Sequence, residues 1–143
     1  MSGAEIVEKL EEVKARVKII AAIDTLEYLC RGGRLSRTSA TVGSIMNIKP
    51  VITVSEEGEV AVVKKPVGKV KARSFILNSL KEEKVDNAFP VYSVYAYGAE
   101  NCEKCEEALA KEGINVEERH QIGTAIGAHI GPGAYGIIYV KEK

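Results

Sequence analysis

The stretch Gly123-Thr124-Ala125-Ile126-Gly127-Ala128-His129-Ile130-Gly131-Pro132-Gly133-Ala134-Tyr135-Gly136 holds five of the chain's 13 glycines and one of its two histidines. Glycine gives up more backbone entropy on folding than any other residue. Such a cluster therefore marks turns at positive φ, or a backbone that something must approach closely. His129 can donate to an anionic oxygen from one ring nitrogen when neutral and from both when protonated. The same residues also read as a tight connection before an edge strand, with His129 bonded to a backbone carbonyl. A second stretch, Asp24 to Ser36, sets Arg34 between the Gly32-Gly33 pair and a helix start at Ser36. There a guanidinium and free backbone donors could hold a carboxylate or phosphate. An arginine after a helix end can equally reach back to the terminal carbonyls.

Other spacings admit chemistry but have simpler readings. Cys102-Glu103-Lys104-Cys105 has the spacing of a redox or zinc motif. On a helix, residues three apart share a face, and that face continues to Leu109, so the thiols are expected to fill core volume as small hydrophobes. Zinc would need two further ligands, and neither Cys30 nor His120 is near in sequence. His120 is expected to be exposed and is assigned no role. Lys64, Lys65, Lys69, Lys71 and Arg73 form the one local basic run, either a solvated helix start or a dock for an acidic partner. Tyr92, Tyr95 and Tyr97 are explained by strand packing.

The elements that must position these residues follow from periodicity. Ile6, Leu10, Val13 and Val17 recur at helical steps, predicting a helix from Ala4 to about Val17 that packs by one face. Lys18 to Ile23 is a strand apolar on both sides. Asp24 and Glu27 have capping-box spacing for a two-turn helix stopped by Gly32-Gly33. Ser36 is a plausible cap for a short helix over Thr38 to Met46. Ile48 to Val54 and Glu59 to Lys64 form a hairpin, and a helix follows to about Glu83. A strand over Val91 to Tyr95, a helix over Glu100 to Lys111, a strand over Ile114 to Arg119 and a last strand over Ala134 to Lys141 complete the chain. Strands alternating with helices, plus one hairpin, imply an α/β fold: a two-layer sandwich with a mixed β-sheet and helices mainly on one face.

Composition limits what these elements can do together. A chain of 143 residues with 45% hydrophobic and 28% charged side chains fits one globular domain, 1–143, able to hold a core without metal or disulfides. Lys plus Arg equals Asp plus Glu at 20 each, so the positive field of a nucleic-acid binder is missing. Three cysteines are too few for a secreted disulfide framework, and a cytoplasmic location fits best. Neither a signal peptide nor a membrane span is read from the sequence.

Taken in order and spacing, Asp24-Thr25-Leu26-Glu27-Tyr28-Leu29, Gly32-Gly33-Arg34-Leu35-Ser36, Gly43, Ile48-Lys49-Pro50, the hairpin and Gly127-Ala128-His129-Ile130-Gly131-Pro132-Gly133-Ala134 resemble the DegV family of bacterial fatty-acid-binding proteins, specifically its C-terminal domain. The resemblance implies a lipid-binding module and not an enzyme. A long-chain fatty acid would lie in an apolar tunnel, its carboxylate near His129, for presentation to a fatty acid kinase. Arg34 would add charge beside the head group, and Ile126, Ile45, Met46 and Ile48 would be candidates for the tunnel wall. No cofactor is implied beyond the bound fatty acid. The N-terminal DegV domain, which supplies Ser and Thr hydroxyl contacts in relatives, is absent from these residues, so a separate N-terminal domain is a possible partner. Many relatives also carry an Arg where this chain has Val67. Two other functions fit the same residues: a structural or protein-interaction domain using an exposed cleft, and a small hydrolase with His129 as general base.

Overall fold

The structure is a computed structural model and describes residues 1–36 and 47–143. Six strands form one sheet in the order β3-β2-β1-β6-β4-β5. They are β1 (Val17–Ala22), β2 (Val51–Val54), β3 (Val60–Lys64), β4 (Tyr92–Tyr95), β5 (Glu118–Gln121) and β6 (Tyr135–Val140). Every neighbouring pair is antiparallel except β4 and β5, so the sheet is mixed. Among the described residues five helices join them: α1 (Gly3–Lys14), α2 (Glu27–Arg31), α3 (Lys69–Glu83), α4 (Glu100–Lys111) and α5 (Thr124–Ile130).

The centre of the sheet is the pair most apolar in sequence. β1 and β6 align from Val17 opposite Val140 to Ala22 opposite Tyr135. Successive side chains point to opposite faces. Ile20, Ala22, Tyr135, Ile137 and Tyr139 join one buried cluster with Ala72, Ile76 and Leu80 of α3 and Cys102, Cys105 and Leu109 of α4. Fully burying one such aliphatic side chain contributes roughly 1.5–3 kcal/mol. On the other face, Ile23, Ile52, Ala96 and Ala134 join Leu26, Leu29 and Ile130. The long helices α3 and α4 therefore cover one face, while short α2 and α5 close one end of the other. Gly136 has a local cause in this register. It sits opposite Ala21, and a Cβ there would lie 2.8 Å from the Cβ of Ala21 and 2.9 Å from the carbonyl oxygen of Ile20.

Several sequence expectations are corrected. The Gly123–Gly136 stretch is not a single tight connection before an edge strand: its first half is helix α5, which Ala125, Ile126 and Ala128 favour once Gly123 and Gly131 bound it, and the strand that follows, β6, is central in the sheet. Asp24 and Glu27 form no capping box. Ile23 N–H bonds to the carbonyl of Pro50 at 2.9 Å, which brings Lys49 alongside, and Lys49 Nζ takes Asp24 Oδ1 at 2.5 Å. Thr25 Oγ1 instead accepts from the Glu27 N–H at 3.2 Å. The stripe of Ile6 and Leu10 lies on α1, but no residue of α1 is buried among the described residues. Ser2 and Glu5 do form a capping box there. β5 begins later than its apolar residues suggest, because Ile114 closes the turn after α4, its N–H bonding Leu109 at 3.0 Å, and Ile114 and Val116 pack on the core. β2 likewise starts at Val51, and Ile48 makes an isolated bridge with Val67. The helix expected over Thr38 to Met46 lies outside the described residues.

Candidate site at the α2–α5 junction

Two short helices meet through a reciprocal ring-on-glycine contact. A Cβ added at Gly32, the C-cap of α2, would fall 2.0 Å from Nδ1 of His129. A Cβ added at Gly131, just beyond α5, would fall 2.4 Å from Cδ2 of Tyr28. The imidazole thus rests on the end of α2, and the phenol ring of Tyr28 rests on the end of α5. Gly131 has a second requirement, φ +80°, a region that L side chains adopt only at a cost. Below the contact Leu29 and Ile130 are buried in the smaller core, which anchors both helices.

His129 sits in the last turn of α5 with Nδ1 buried and without a hydrogen-bond partner among the described residues. The ring atoms nearest Gly32 are Nδ1, Cε1 and Cγ, which leaves Nε2 and Cδ2 on the far side of the ring. Arg34 converges on the same glycine from the other direction. Its Nη1 donates to the Gly32 carbonyl at 2.9 Å, and its own N–H bonds to Leu29 at 2.9 Å. A cation there complements the carbonyl end of α2. Arg34 is exposed and forms no ion pair among the described residues. Among the described residues neither His129 nor Arg34 pairs with a carboxylate, so the junction offers an imidazole and a guanidinium suited to an anionic head group.

Ile126 precedes His129 by three residues and is 62% exposed, one helical turn outward from Ile130 on neighbouring ridges. An open groove of about 310 Å³ runs between α5 and the ends of β4 and β5, lined by Tyr97, Gln121, Gly123, Thr124, Gly127 and Pro132 among others, with Ile126 outside its lining. Cβ atoms added at Gly123 and Gly127 would meet nothing within 4 Å, so these two glycines leave an open surface that packing among the described residues does not explain. Ile48 is half-buried at the far side of the sheet beside Val67. Ile45 and Met46 lie outside the described residues. Sequence reasoning missed Tyr28, Gly32 and Gly131 as the parts that set the ring. The signal was present in Gly32-Gly33 and Gly131-Pro132-Gly133, but pairing them required knowing that α2 and α5 are neighbours.

The remaining chemistry-bearing residues are structural in their contacts. Ser93, fully buried, donates from Oγ to Glu106 Oε1 at 2.5 Å. Arg119 grips Glu106 through Nε at 2.8 Å and Nη2 at 2.6 Å, and Glu103 through Nη1 at 2.7 Å, tying edge strand β5 to α4. Arg119 holds the Glu106 carboxyl below its usual range, with help from Ser93. Burial pushes the thiols of Cys102 and Cys105 up to about 11 and about 12. Both are free and buried, and among the described residues no group of three His, Cys, Asp or Glu could hold a metal. His120 is exposed beside Glu118 and packs edge-on to Tyr92 at 5.6 Å. No helix among the described residues is long and apolar enough to cross a membrane.

Comparison with known proteins agrees with this architecture. A family model described as "Uncharacterised protein, DegV family" matches residues 1–142. A DegV domain-containing protein of Caldanaerobacter subterraneus is 39% identical over 144 residues, covering 99% of this chain and 51% of the relative. The chain thus spans about half the length of the curated relatives it matches. Among solved structures, a fatty acid binding DegV family protein of Streptococcus agalactiae superposes with a TM-score of 0.86 at 27% identity, covering 100% of this chain and 51% of that one. A DegV family protein of Thermus thermophilus described by its fatty acid binding gives 0.80 at 28% identity, covering 99% and 51%. With nearly every residue matched by the family model and the same fold in solved members, the chain belongs to the DegV family.

Proposed function

We propose that this chain is the C-terminal half of a fatty-acid carrier, 1–143 forming one domain, and that it holds the head group of a long-chain fatty acid at the α2–α5 junction. The observation that carries the reading is the imidazole of His129 braced against Gly32, the same glycine whose carbonyl accepts from Arg34. A buried Nδ1–H without an acceptor is more costly than a bare ring nitrogen, so the neutral ring keeps its proton on Nε2 and offers it to a carboxylate. Arg34 supplies charge. The acyl chain provides most of the binding, since about 15 methylenes of a C16 acid are worth in gross terms ~0.8 kcal/mol each. Ile126 contributes exposed apolar surface next to the head group, and Ile48, Ile45 and Met46 are assigned to the tunnel wall from the family resemblance alone. The half-length match supports a second half, the N-terminal DegV domain, that completes the cleft with hydroxyl donors. In this reading the loaded carrier works in the cytoplasm and presents its carboxylate to a fatty acid kinase.

One specific feature favours a carrier over a hydrolase. A histidine base is held by an acceptor on its second nitrogen, and Nδ1 of His129 has none among the described residues. The test is lipid extraction and mass analysis of the purified chain, alone and with an N-terminal DegV domain added. A long-chain fatty acid bound at near one per chain is expected in at least the second case. Ile126→Ser should lower that occupancy with little change in stability, because the side chain is 62% exposed. No uptake in either case rejects the carrier reading.

A further inference from the structure

We infer that the cleft between the first turns of α3 and α4 is a phosphate site, taking inorganic phosphate or the phosphate end of a monoester. The cleft is small, about 10 Å³, and lies where β1 ends and β6 begins. Lys69 and Ala72 of α3, Asn101 of α4 and Tyr135 of β6 line it, and Asp24 and Lys49 also border it. Both helices reach it uncapped. α3 begins after Gly68 and α4 after Ala99, and neither residue supplies a side-chain cap. The N–H groups of each first turn have no intrahelical acceptor, and the two helix dipoles add positive potential at one place. A second, independent observation calls for a ligand. Tyr135 is 4% exposed, yet its hydroxyl has no hydrogen-bond partner among the described residues, whereas the Tyr139 hydroxyl donates to Glu83 at 2.7 Å. Tyr135 stands opposite Ala22, which also lines the cleft, and its phenol oxygen lies within electrostatic reach of Arg73 on α3 and Cys105 on α4. Burial pushes the phenol up, so it stays a neutral donor. A buried donor without an acceptor is costly, and an anionic oxygen in the cleft would satisfy it.

Charge and size select the ligand. Lys49 is neutralised by Asp24. Lys69 and Arg73 are four residues apart on one face of α3, and neither has a carboxylate partner among the described residues. Arg73 acts on both Tyr135 and Cys105, so this face turns toward α4 and β6. Lys71 falls about 200° around the helix from Lys69 and takes no part. The acids in the first turn of α4, Glu100 and Glu103, stand outside the lining, and Glu103 is held by Arg119. Two unpaired cations and two helix ends suit a dianion better than a halide or a carboxylate. A cleft of this size admits about one oxygen-sized group. A tetrahedral oxyanion can bury one corner there and leave its other oxygens at the rim, whereas an acyl chain cannot enter. The site also lies on the α3 and α4 side of the sheet, while His129 and α5 lie on the other, so it is separate from the fatty-acid site.

The experiment is titration of the intact chain with sodium phosphate at constant ionic strength, followed by amide NMR, against sodium chloride and sodium acetate. Saturable shifts of the first-turn amides of α3 and α4 are expected with millimolar phosphate, and much weaker ones with the other two salts. Tyr135→Phe and Arg73→Gln should each weaken phosphate about tenfold, while Lys71→Gln should change it less than about twofold. Melting temperature separates lost affinity from a folding defect. Without phosphate, Tyr135→Phe should be as stable as the parent, because it removes an unbonded hydroxyl, and added phosphate should stabilise the parent more than the variant. Absence of saturable shifts overturns the proposal, as do shifts confined to the α2–α5 junction or an equal response to chloride. Lys71→Gln weakening phosphate as much as Arg73→Gln overturns it too, by reducing the effect to diffuse charge. Undiminished binding to Tyr135→Phe, or a clear loss of its stability without phosphate, removes the hydroxyl from the site and the proposal with it.

Discussion

Replacing Gly32 by alanine should move the His129 ring while leaving His129 itself in place in the sequence. The new Cβ would sit 2.0 Å from Nδ1 and 2.8 Å from Cε1, far inside van der Waals contact, so ring or backbone must yield. The ring is the softer of the two, being only half-buried, with no hydrogen-bond partner for Nδ1 among the described residues. Gly32 has φ −78°, so alanine adds no backbone strain there and gains about 0.4–1 kcal/mol through the unfolded chain. Losing the ring's packing offsets a similar amount, and the net change in stability should stay within about 1 kcal/mol. Gly131→Ala makes the contrast. Its φ of +80° costs an L residue about 1–2 kcal/mol. Displacing Tyr28 from 2.4 Å adds overpacking of about 1–3 kcal/mol. Together these amount to roughly 2–5 kcal/mol, or a melting temperature lower by about 6–15 °C at ~3 °C per kcal/mol. Thermal unfolding followed by circular dichroism reads stability, and with two histidines in the chain the imidazole resonances report the ring directly. Gly32→Ala should shift one imidazole and lower fatty-acid occupancy at nearly unchanged stability. The reasoning fails if that imidazole does not move, or if Gly32→Ala unfolds as easily as Gly131→Ala.

Two further outcomes follow from the α4 face. Ellman-type thiol reagents at neutral pH should label Cys30, which is half-buried, well before Cys102 and Cys105, whose thiols are raised to about 11 and about 12 by burial. Fast labelling of all three in folded protein would contradict the packing of α4 on the sheet. Glu106, whose carboxyl is held below 4.5 chiefly by Arg119, contributes stability that is fully present above the unfolded value and lost as pH falls through the lower folded value. Urea denaturation of Glu106→Gln against the parent chain should therefore show a deficit at pH 7 that shrinks only below about pH 4.5. A deficit independent of pH down to acid unfolding would refute the ion pair as its source.

Most elements were legible because their signal is local. Cys102, Cys105 and Leu109 recur at helical spacing, and all three are buried in α4. The hairpin announced itself by a turn between two β-branched runs, and β2 and β3 pair as expected. The errors came where a residue answered to a distant partner. Asp24 looked like a cap until the neighbouring strand delivered Lys49. Ile114 and Val116 looked like strand and are core plugs after α4. The five glycines from 123 to 136 looked like one feature and are several. Gly131 turns the chain at positive φ under Tyr28, Gly136 admits β1, and Gly123 and Gly127 leave an open surface.

The chain's own order of residues determined the α/β class, the central apolar strands, the long helices and the presence of one histidine among glycines, since each depends on neighbours within a turn or a pleat. It also carried the family likeness that pointed to fatty acid. Only the tertiary structure decided that the histidine stands on a helix and that it leans on Gly32, whose carbonyl Arg34 holds, while Tyr28 leans on Gly131. Those contacts join residues about a hundred positions apart. No local periodicity records them, because they exist only once β1 and β6 pair and draw α2 and α5 to the same end of the sheet.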